Sequence, residues 1–370
     1  MSRSNIVVLV SMYVWFAAVA SPASAQPPAP ERSGSELYQA ACSACHGADG
    51  KGAPTSQIGF TDVEPPDFTD CQSASPEPDS DWVAQIHYGG PARAFSRRMP
   101  SFVDALTDPE INRVVAFLRT FCSDRRWPRG DLNLPRAFVT EKAFPENETI
   151  VTTSVATSGP GAVENLLEFE HRIGARSQYE IAIPFSVLEQ ETGANKGGVG
   201  DITVAFKHVL FDNLNAGTIV SAGGELGLPT GKESSGLGSG HTTAEAFGMI
   251  SQVLPRDGFL HMHTGVEFPI KSDAANEAFW RAALGKTFTE RRWGRTWTPI
   301  LELVTAKELA TGSHAEADLI PQMQVSLSTR QHILVSAGVR VPVSERDERH
   351  PAFLTYFLWD WFDGGLFSGW

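Results

Sequence analysis

The chain has 370 residues, and its 30 lysines and arginines are outnumbered by 43 aspartates and glutamates, which gives a formal net charge of −13 at pH 7. Such an acidic chain is a poor candidate for binding the phosphate backbone of a nucleic acid, so no nucleic acid partner is expected. The length favours two domains over one.

The N-terminus has the pattern of an export signal. Arg3 precedes an apolar stretch at 6–20, and Ala-Ser-Ala at 23–25 is a small-residue cleavage site, so residues 1–25 are predicted to be a signal peptide. The alternative is a transmembrane anchor, but the apolar stretch is shorter than the roughly 20 residues that a span needs. Cleavage would remove only Arg3 among the charged residues, leaving 29 − 43 = −14.

Next comes the pattern Cys42-x-x-Cys45-His46. This spacing is the attachment signature of a c-type haem, in which both thiols bond to the haem and the imidazole binds the iron. A redox-active dithiol is the alternative. The surrounding sequence at 37–52, LYQAACSACHGADGKG, resembles the class I cytochromes c. The resemblance implies a small all-α domain with one covalently attached haem c.

A second iron ligand is expected further along the same domain. Class I cytochromes c use a methionine followed by proline, and Met99-Pro100 lies in a glycine- and proline-rich loop. His46 and Met99 are therefore the predicted iron ligands. His87 is the alternative to Met99, and a second histidine would lower the reduction potential.

A helix with clear start signals follows. Thr107 and Glu110 form a predicted capping box, and apolar residues recur at helical spacing after it: Ile111, Val114, Val115 and Leu118. The segment resembles the C-terminal helix of cytochromes c, so the haem domain is predicted to cover 33–122 and a linker 123–147.

The other two cysteines, Cys71 and Cys122, lie near the middle and the end of this domain. In an oxidising compartment they have the opportunity to form a disulfide that ties a loop to the last helix. The alternative is a pair of buried free thiols.

Residues 148–370 change character. Apolar and polar residues alternate, as at 179–185, 322–327 and 335–341, which predicts strands with one apolar face. A β-sandwich also alternates, but about 12 strand-like segments are joined by connections that are alternately short and long. This combination predicts an all-β antiparallel barrel of the outer-membrane type.

Aromatic residues and strand number support the barrel. Six of the nine tryptophans fall in this half, and the chain ends on one; tryptophan is enriched where a barrel meets the membrane interface. They are Trp280, Trp293, Trp297, Trp359, Trp361 and Trp370. An even strand number puts both barrel termini on one side, which places the exported haem domain in the periplasm.

The barrel half resembles outer-membrane proteins of the phenol-degradation meta-pathway transporter type. The likeness lies at 163–174 (VENLLEFEHRIG), 199–203, 228–231 and 359–362, and it implies a barrel in outer-membrane lipid. The whole chain resembles the fused cytochrome-porins of iron-oxidising bacteria. That resemblance implies electron transfer between an extracellular donor or acceptor and periplasmic carriers. The barrel is shorter than theirs, and a narrow lumen tends to be filled by its own side chains.

Charged and imidazole side chains are expected inside this lumen, either along a water-filled path or in a hydrogen-bonded network that fills it. The network is the favoured interpretation, since interior polar groups must be satisfied. The predicted lumen residues are Glu168, His208, His261, His263, Glu267 and Arg340.

The function predicted first is haem-dependent electron transfer at the cell outer membrane. In the alternative, the barrel is a transporter or anchor that carries a tethered periplasmic electron carrier. A soluble redox enzyme is a weaker third hypothesis, because no nucleophile with a base, phosphate loop or second cofactor site is recognisable; the chain is not expected to be an enzyme.

Overall fold

The structure is a computed structural model that describes residues 31–190, 192–270, 274–347 and 349–370. The predicted signal peptide at 1–25 lies outside the described residues. All contacts described here lie within Ser33–Trp370, which forms one compact unit. In the described part of the chain, no helix is both long and apolar enough to cross a membrane.

The N-terminal part of this unit is helical. Capping boxes begin its first and last helices, at Ser33 and at Thr107, and the second of these confirms the predicted helix start. The helices are α1 (Gly34–Ala41), α2 (Ser43–His46), α3 (Thr55–Ile58), α4 (Cys71–Ala74), α5 (Asp79–Tyr88) and α6 (Asp108–Leu118), with 3₁₀ turns at Gly90–Arg93 and Gly130–Leu132.

Helices α1, α5 and α6 enclose one apolar core. Its buried residues include Leu37, Tyr38, Trp82, Ile86, Ile111, Val114, Val115 and Leu118. Cys71 and Cys122 form a disulfide across a sequence separation of 51 residues, with their Cα atoms 5.1 Å apart. The disulfide settles the choice that the sequence left open, and it ties α4 to the segment after α6.

The second part is a sheet of fourteen antiparallel strands. Strand β9 pairs with β11 and strand β14 with β1, so twelve strands close into a barrel, while β4 pairs with β3 and β10 with β11 outside this ring. The predicted barrel of about 12 strands is confirmed. The strands are β1 (Glu148–Ala156), β2 (Ala162–Ile173), β3 (Ser177–Glu189), β4 (Asn195–Val199), β5 (Ile202–Asn213), β6 (Thr218–Leu228), β7 (Thr243–Leu254), β8 (Gly258–Pro269), β9 (Glu277–Lys286), β10 (Phe288–Thr289), β11 (Thr296–Glu308), β12 (Glu316–Ser326), β13 (Ile333–Pro342) and β14 (Ala352–Asp360).

The two ends of the barrel differ in their connections. One end, called the short-turn end, carries tight connections such as 174–176 and 255–257. The other, the long-loop end, carries longer ones such as 229–242 and 309–315. The first barrel residue, Glu148, pairs with Asp360 at the end of the last strand. Both barrel termini therefore lie at the short-turn end, as the even strand number requires.

Side chains alternate across the barrel wall. On β5, Ala205 and Lys207 are buried inside, whereas Phe206 and Leu210 are exposed outside. His208 faces outward like Phe206 and Leu210, so the prediction that it lies in the lumen is wrong. Its neighbour Lys207 faces the lumen instead. The exposed apolar side chains of other strands include Phe185, Leu226, Leu284, Leu301, Met323, Val339, Phe353 and Phe357.

The predicted linker runs into the barrel. Residues 134–147, called the plug, place Arg136, Ala143 and Phe144 deep among inward-facing strand residues. Phe144 packs with lumen residues from β5 to β9, and Phe138 packs with residues of β1, β12 and β14. The lumen therefore has a core of its own, part of which is supplied by the chain that leaves the haem domain.

Candidate functional site

The haem attachment sequence occupies one tight turn. Helix α1 ends at Cys42 and α2 begins at the next residue. The backbone N–H groups of Cys45 and His46 both donate to the carbonyl of Cys42, at 3.1 and 2.9 Å. Neither thiol is in a disulfide, and burial raises the pKa of the Cys42 thiol to about 11. A redox dithiol needs a low pKa, so this environment disfavours that alternative.

Tyr38 holds the chain just after the histidine. Its hydroxyl donates to the carbonyls of Gly47 and His46, at 2.6 and 3.2 Å. Burial raises the pKa of Tyr38 to about 12, so the hydroxyl remains a donor at neutral pH. Gly47 has φ of 74°, a conformation that glycine adopts without strain, and it turns the chain away from the site.

His46 has the features of a metal-ligand imidazole. Its ring stacks on Phe68 with centroids 5.1 Å apart, and its buried Nδ1 has no hydrogen-bond partner. Burial lowers the pKa of His46. The imidazole is therefore neutral at pH 7, which is the form that binds a metal ion.

Met99 is held by the glycines that end α5. The Gly90 N–H donates to the Met99 carbonyl at 3.1 Å, and a Cβ at Gly89 would lie only 2.8 Å from that oxygen. The Met99 side chain packs on the same apolar core as Cys42 and Phe68. Two free thiols, an imidazole with an unpartnered buried Nδ1 that stacks on Phe68, and a thioether on the core that Phe68 joins fit a haem c.

His87 lies elsewhere. Its Nε2 is 3.5 Å from an oxygen of Asp108, and its ring contacts Tyr88 and the barrel residue Trp293, with centroids 4.4 and 4.8 Å away. The predicted alternative to Met99 is thus engaged at the junction between the two domains.

The haem domain docks on the short-turn end of the barrel. Arg93 donates to the carbonyl of Trp293 at 2.6 Å, Arg292 forms an ion pair with Asp108 at 2.8 Å, and Arg330 donates to the carbonyl of Ala94 at 2.8 Å. These partners lie about 200 residues apart in the chain, so no local sequence pattern predicts the junction.

A second set of contacts at the junction involves carboxyl groups. The side chains of Glu77, in the haem domain, and Asp363, after the last strand, share a hydrogen bond. Burial raises the pKa of both groups. Two carboxyl groups form a hydrogen bond with each other only when one carries a proton, and the raised pKa values favour that protonated state.

The plug is bound by charge. Arg136 contacts Glu168 at 2.7 Å, Glu148 at 3.3 Å, and Glu170. Glu302 of β11 accepts the backbone N–H groups of three successive plug residues, 138–140. The predicted lumen residues Glu168, His261, His263, Glu267 and Arg340 all face inward.

The plug also binds a predicted lumen histidine. Ring nitrogens of His261 lie 2.9 Å from the carbonyl of Pro135 and 2.7 Å from the Ser251 hydroxyl. The sequence predicted these ionisable side chains inside the lumen. It did not predict that their partners would come from the segment interpreted as a linker.

A helical domain with a haem attachment turn, joined to a closed antiparallel barrel, defines a cytochrome domain fused to a porin-like barrel. Residues 29–118 match the family model described as cytochrome C oxidase, cbb3-type, subunit III. This part of the chain is a cytochrome c-type domain, which implies a haem c and a capacity for electron transfer. No curated protein matches the chain.

Among solved structures, the chain is similar to the NanC porin, at 11% identity over 57% of this chain and 98% of that chain with a TM-score of 0.41. It is also similar to an outer membrane channel from Pseudomonas putida F1, at 13% identity over 61% and 99% with a TM-score of 0.44. The KdgM porin gives 10% identity over 57% and 98% with a TM-score of 0.36. Similarities of this size carry no information about activity or cargo.

Proposed function

We propose that this chain is an electron-transfer protein of the bacterial outer membrane. One haem c, covalently attached through Cys42 and Cys45, exchanges electrons with periplasmic carriers, and the barrel holds the haem domain at the membrane. The observation that carries the proposal is the docking of the cytochrome c-type domain on the short-turn end of a closed barrel with an apolar outer surface.

Each residue of the attachment site has one role in this proposal. Cys42 and Cys45 bind the haem, His46 and Met99 ligate its iron, and Tyr38 fixes the turn that carries His46. The haem supplies a one-electron couple, and a thioether ligand raises its potential relative to a second imidazole. In this proposal the chain carries electrons, and no residue acts as a catalyst.

The outer surface of the barrel supports a membrane location. Its strands of up to 13 residues are long enough to cross a bilayer at a tilt. Aromatic side chains cluster at the short-turn end, where Trp361 stacks on Phe169 with centroids 5.8 Å apart. Rings at such a level suit the membrane interface, and outer-membrane lipid is the proposed partner of this surface.

The filled lumen supports an anchor over a transporter. Arg136 of the plug binds Glu168 of β2, and Glu302 of β11 accepts hydrogen bonds from the plug backbone. Removing the plug would therefore leave buried charges without partners. Cargo would have to displace these contacts. The haem domain itself lies outside the lumen, at the short turns, where soluble carriers of the periplasm would reach it.

A second candidate function is electron exchange with a donor or acceptor outside the cell. One observation favours it. Between the plug and the long-loop end lies a cavity of about 430 Å³, and its lining includes Thr140 and Glu141 of the plug, which continues directly into the haem domain. An impermeant reductant applied to intact cells separates the two candidates.

Fractionation tests the proposal as a whole. Cells expressing the full chain are separated into soluble periplasm and outer membrane, and both fractions are stained for covalent haem before and after boiling. We expect the haem-staining band in the outer-membrane fraction, with a mobility that shifts on boiling, because folded barrels resist unfolding by detergent. A haem-staining band in the soluble fraction would overturn the membrane part and leave the cytochrome part intact.

A further inference from the structure

The loop that carries Met99 is closed at its base. It begins in the 3₁₀ turn Gly90–Arg93 and ends at Met99. The Gly90 N–H donates to the Met99 carbonyl at 3.1 Å, and the Phe95 N–H donates to the Gly90 carbonyl at 2.9 Å. Residues 90–99, called the methionine loop, therefore form one small unit, and a contact that fixes the middle of this loop also restricts where Met99 lies.

The middle of the methionine loop has a strained backbone. Ala94 ends the 3₁₀ turn with φ of 53° and ψ of 33°. Residues other than glycine seldom adopt this left-handed conformation, and they keep it where surrounding contacts hold them in place. Within the loop, the Ala94 N–H donates to the carbonyls of Gly90 and Pro91. The Ala94 carbonyl, in contrast, accepts a hydrogen bond from the barrel.

The donor is Arg330, in the short turn between β12 and β13. Its Nη2 donates to the Ala94 carbonyl at 2.8 Å, and its Nε donates to the Arg93 carbonyl at 3.3 Å. The guanidinium also lies over the Phe95 ring, 4.1 Å from the ring centroid. One side chain of the barrel therefore contacts three successive residues of the methionine loop.

Arg330 is itself held by the segment that follows the last strand. Its backbone N–H donates to the Gly369 carbonyl at 3.0 Å, and its Nη1 donates to the Asp363 carbonyl at 2.8 Å. The next residue, Gln331, donates to the Gly294 carbonyl of the neighbouring turn at 2.7 Å. These contacts orient the planar guanidinium, so its remaining donors are already aimed at the methionine loop.

A second turn of the barrel holds the same part of the loop. Arg93 donates through Nη1 to the Trp293 carbonyl at 2.6 Å, and its Nη2 forms an ion pair with Asp81 of α5 at 2.6 Å. The Arg93 side chain is buried by these contacts. The methionine loop is therefore fixed between two turns of the barrel on one side and α5 on the other.

We propose that Arg330 is a positioning residue for the methionine ligand. Through this arginine, the barrel holds the methionine loop in the conformation in which Met99 ligates the haem iron. The inference rests on the proposed haem c and on Met99 as its ligand. A thioether raises the reduction potential relative to a second imidazole. Docking on the barrel therefore sets the potential at which the chain exchanges electrons, in addition to placing the haem domain at the membrane.

Imidazole titration of the purified full chain in detergent, with the haem in its ferric state, tests this role. Imidazole competes with a methionine ligand, and its binding removes the far-red absorption that methionine gives to ferric haem. A loop that opens more often yields its place to imidazole more easily, so the apparent affinity for imidazole reports how firmly the loop is held.

Arg330→Leu is compared with the unaltered chain and with the control Arg292→Leu. Arg292 also bonds across the junction and also stacks on a ring, but its partners are Asp108 and Trp293, outside the methionine loop. We expect imidazole to bind Arg330→Leu at least about tenfold more tightly, because each hydrogen bond from a charged group contributes about that factor or more. The control should bind imidazole as the unaltered chain does.

A second variant excludes a misfolded barrel as the cause. Phe95→Ala changes only the haem domain and removes the ring under the Arg330 guanidinium. It should also bind imidazole more tightly, and the double variant with Arg330→Leu should show less than the product of the two separate effects. Effects that simply multiply would overturn the proposed contact. The reduction potential should fall in the same variants, since a methionine ligand raises it.

The possible failures are distinguishable. A smaller change in Arg330→Leu, or an equal change in Arg292→Leu, would overturn the positioning role and leave the electron-transfer proposal intact. If the unaltered ferric chain lacked the far-red absorption, Met99 would not be the ligand and the positioning role would fall with it. Covalent haem staining would then still decide whether the chain is a cytochrome.

Discussion

The haem domain and the barrel are stabilised in opposite ways. The haem domain buries an apolar core between α1, α5 and α6 and adds a disulfide, as small exported domains do. The barrel exposes its apolar side chains and keeps arginine, lysine and glutamate inside, where the plug completes the network. The haem domain therefore buries its apolar side chains away from water, whereas the barrel turns its apolar side chains outward, as a surface in lipid requires.

The largest effect is expected at the haem attachment turn. Replacing Cys42 and Cys45 with alanine should abolish covalent haem staining, while the barrel keeps its boiling-dependent mobility because its strand ladder does not involve the haem domain. The control is Ser43→Ala in the same turn, which should stain normally. Covalent haem in the double variant would contradict the attachment site.

The barrel should be most sensitive at Arg136. Arg136→Met leaves Glu148, Glu168 and Glu170 buried without their cation, and breaking a buried pair in this way costs about 3–5 kcal/mol. Denaturant unfolding of the barrel in detergent measures the loss, and the haem absorption spectrum should not change. Arg126→Met, which removes an exposed ion pair with Asp124, should leave the unfolding of the barrel unchanged, because solvent screens such a pair.

The disulfide between Cys71 and Cys122 tests how the haem domain is stabilised. Replacing Cys71 and Cys122 with serine should lower the free energy of unfolding of the haem domain by about 2–4 kcal/mol, since the unfolded chain regains the freedom of a long loop. Unfolding followed by haem absorption gives this value. The boiling-dependent mobility of the barrel serves as the internal control, and a matching loss there would show that the two parts are not independent.

The smallest effect is expected at the junction. Burial raises the pKa of Glu77 and Asp363 in the folded state, so their contribution to stability is complete below the unfolded values near 4 and is lost as pH rises through the raised pKa. Haem-domain unfolding should therefore become easier with increasing pH. Asp363→Asn, which donates a hydrogen bond at any pH, should flatten this slope, whereas Asp347→Asn in a long loop should leave it unchanged.

Local patterns in the sequence predicted much of this molecule. The turn at Cys42, the capping box at Thr107 and the alternation of the strands each depend on neighbours within a few residues, and the structure has the same elements. The number of strands was also predictable, because alternately short and long connections repeat along the chain.

What the sequence did not predict depends on distant partners. The course of the plug is decided by Glu302 and by glutamates of β1 and β2, which lie far from it in the sequence. The prediction for His208 was wrong because a shift of one residue along a strand moves every side chain to the other face. Phe206 and Leu210 fix the face of His208 by facing outward.

Access to the haem tests the central claim most directly. An impermeant reductant is added to intact cells, and haem reduction is followed by absorption before and after the outer membrane is permeabilised. The account predicts little reduction in intact cells and rapid reduction after permeabilisation, because the haem domain lies at the short-turn end behind a filled lumen. Equally fast reduction in intact cells would contradict it and would favour electron exchange through the barrel.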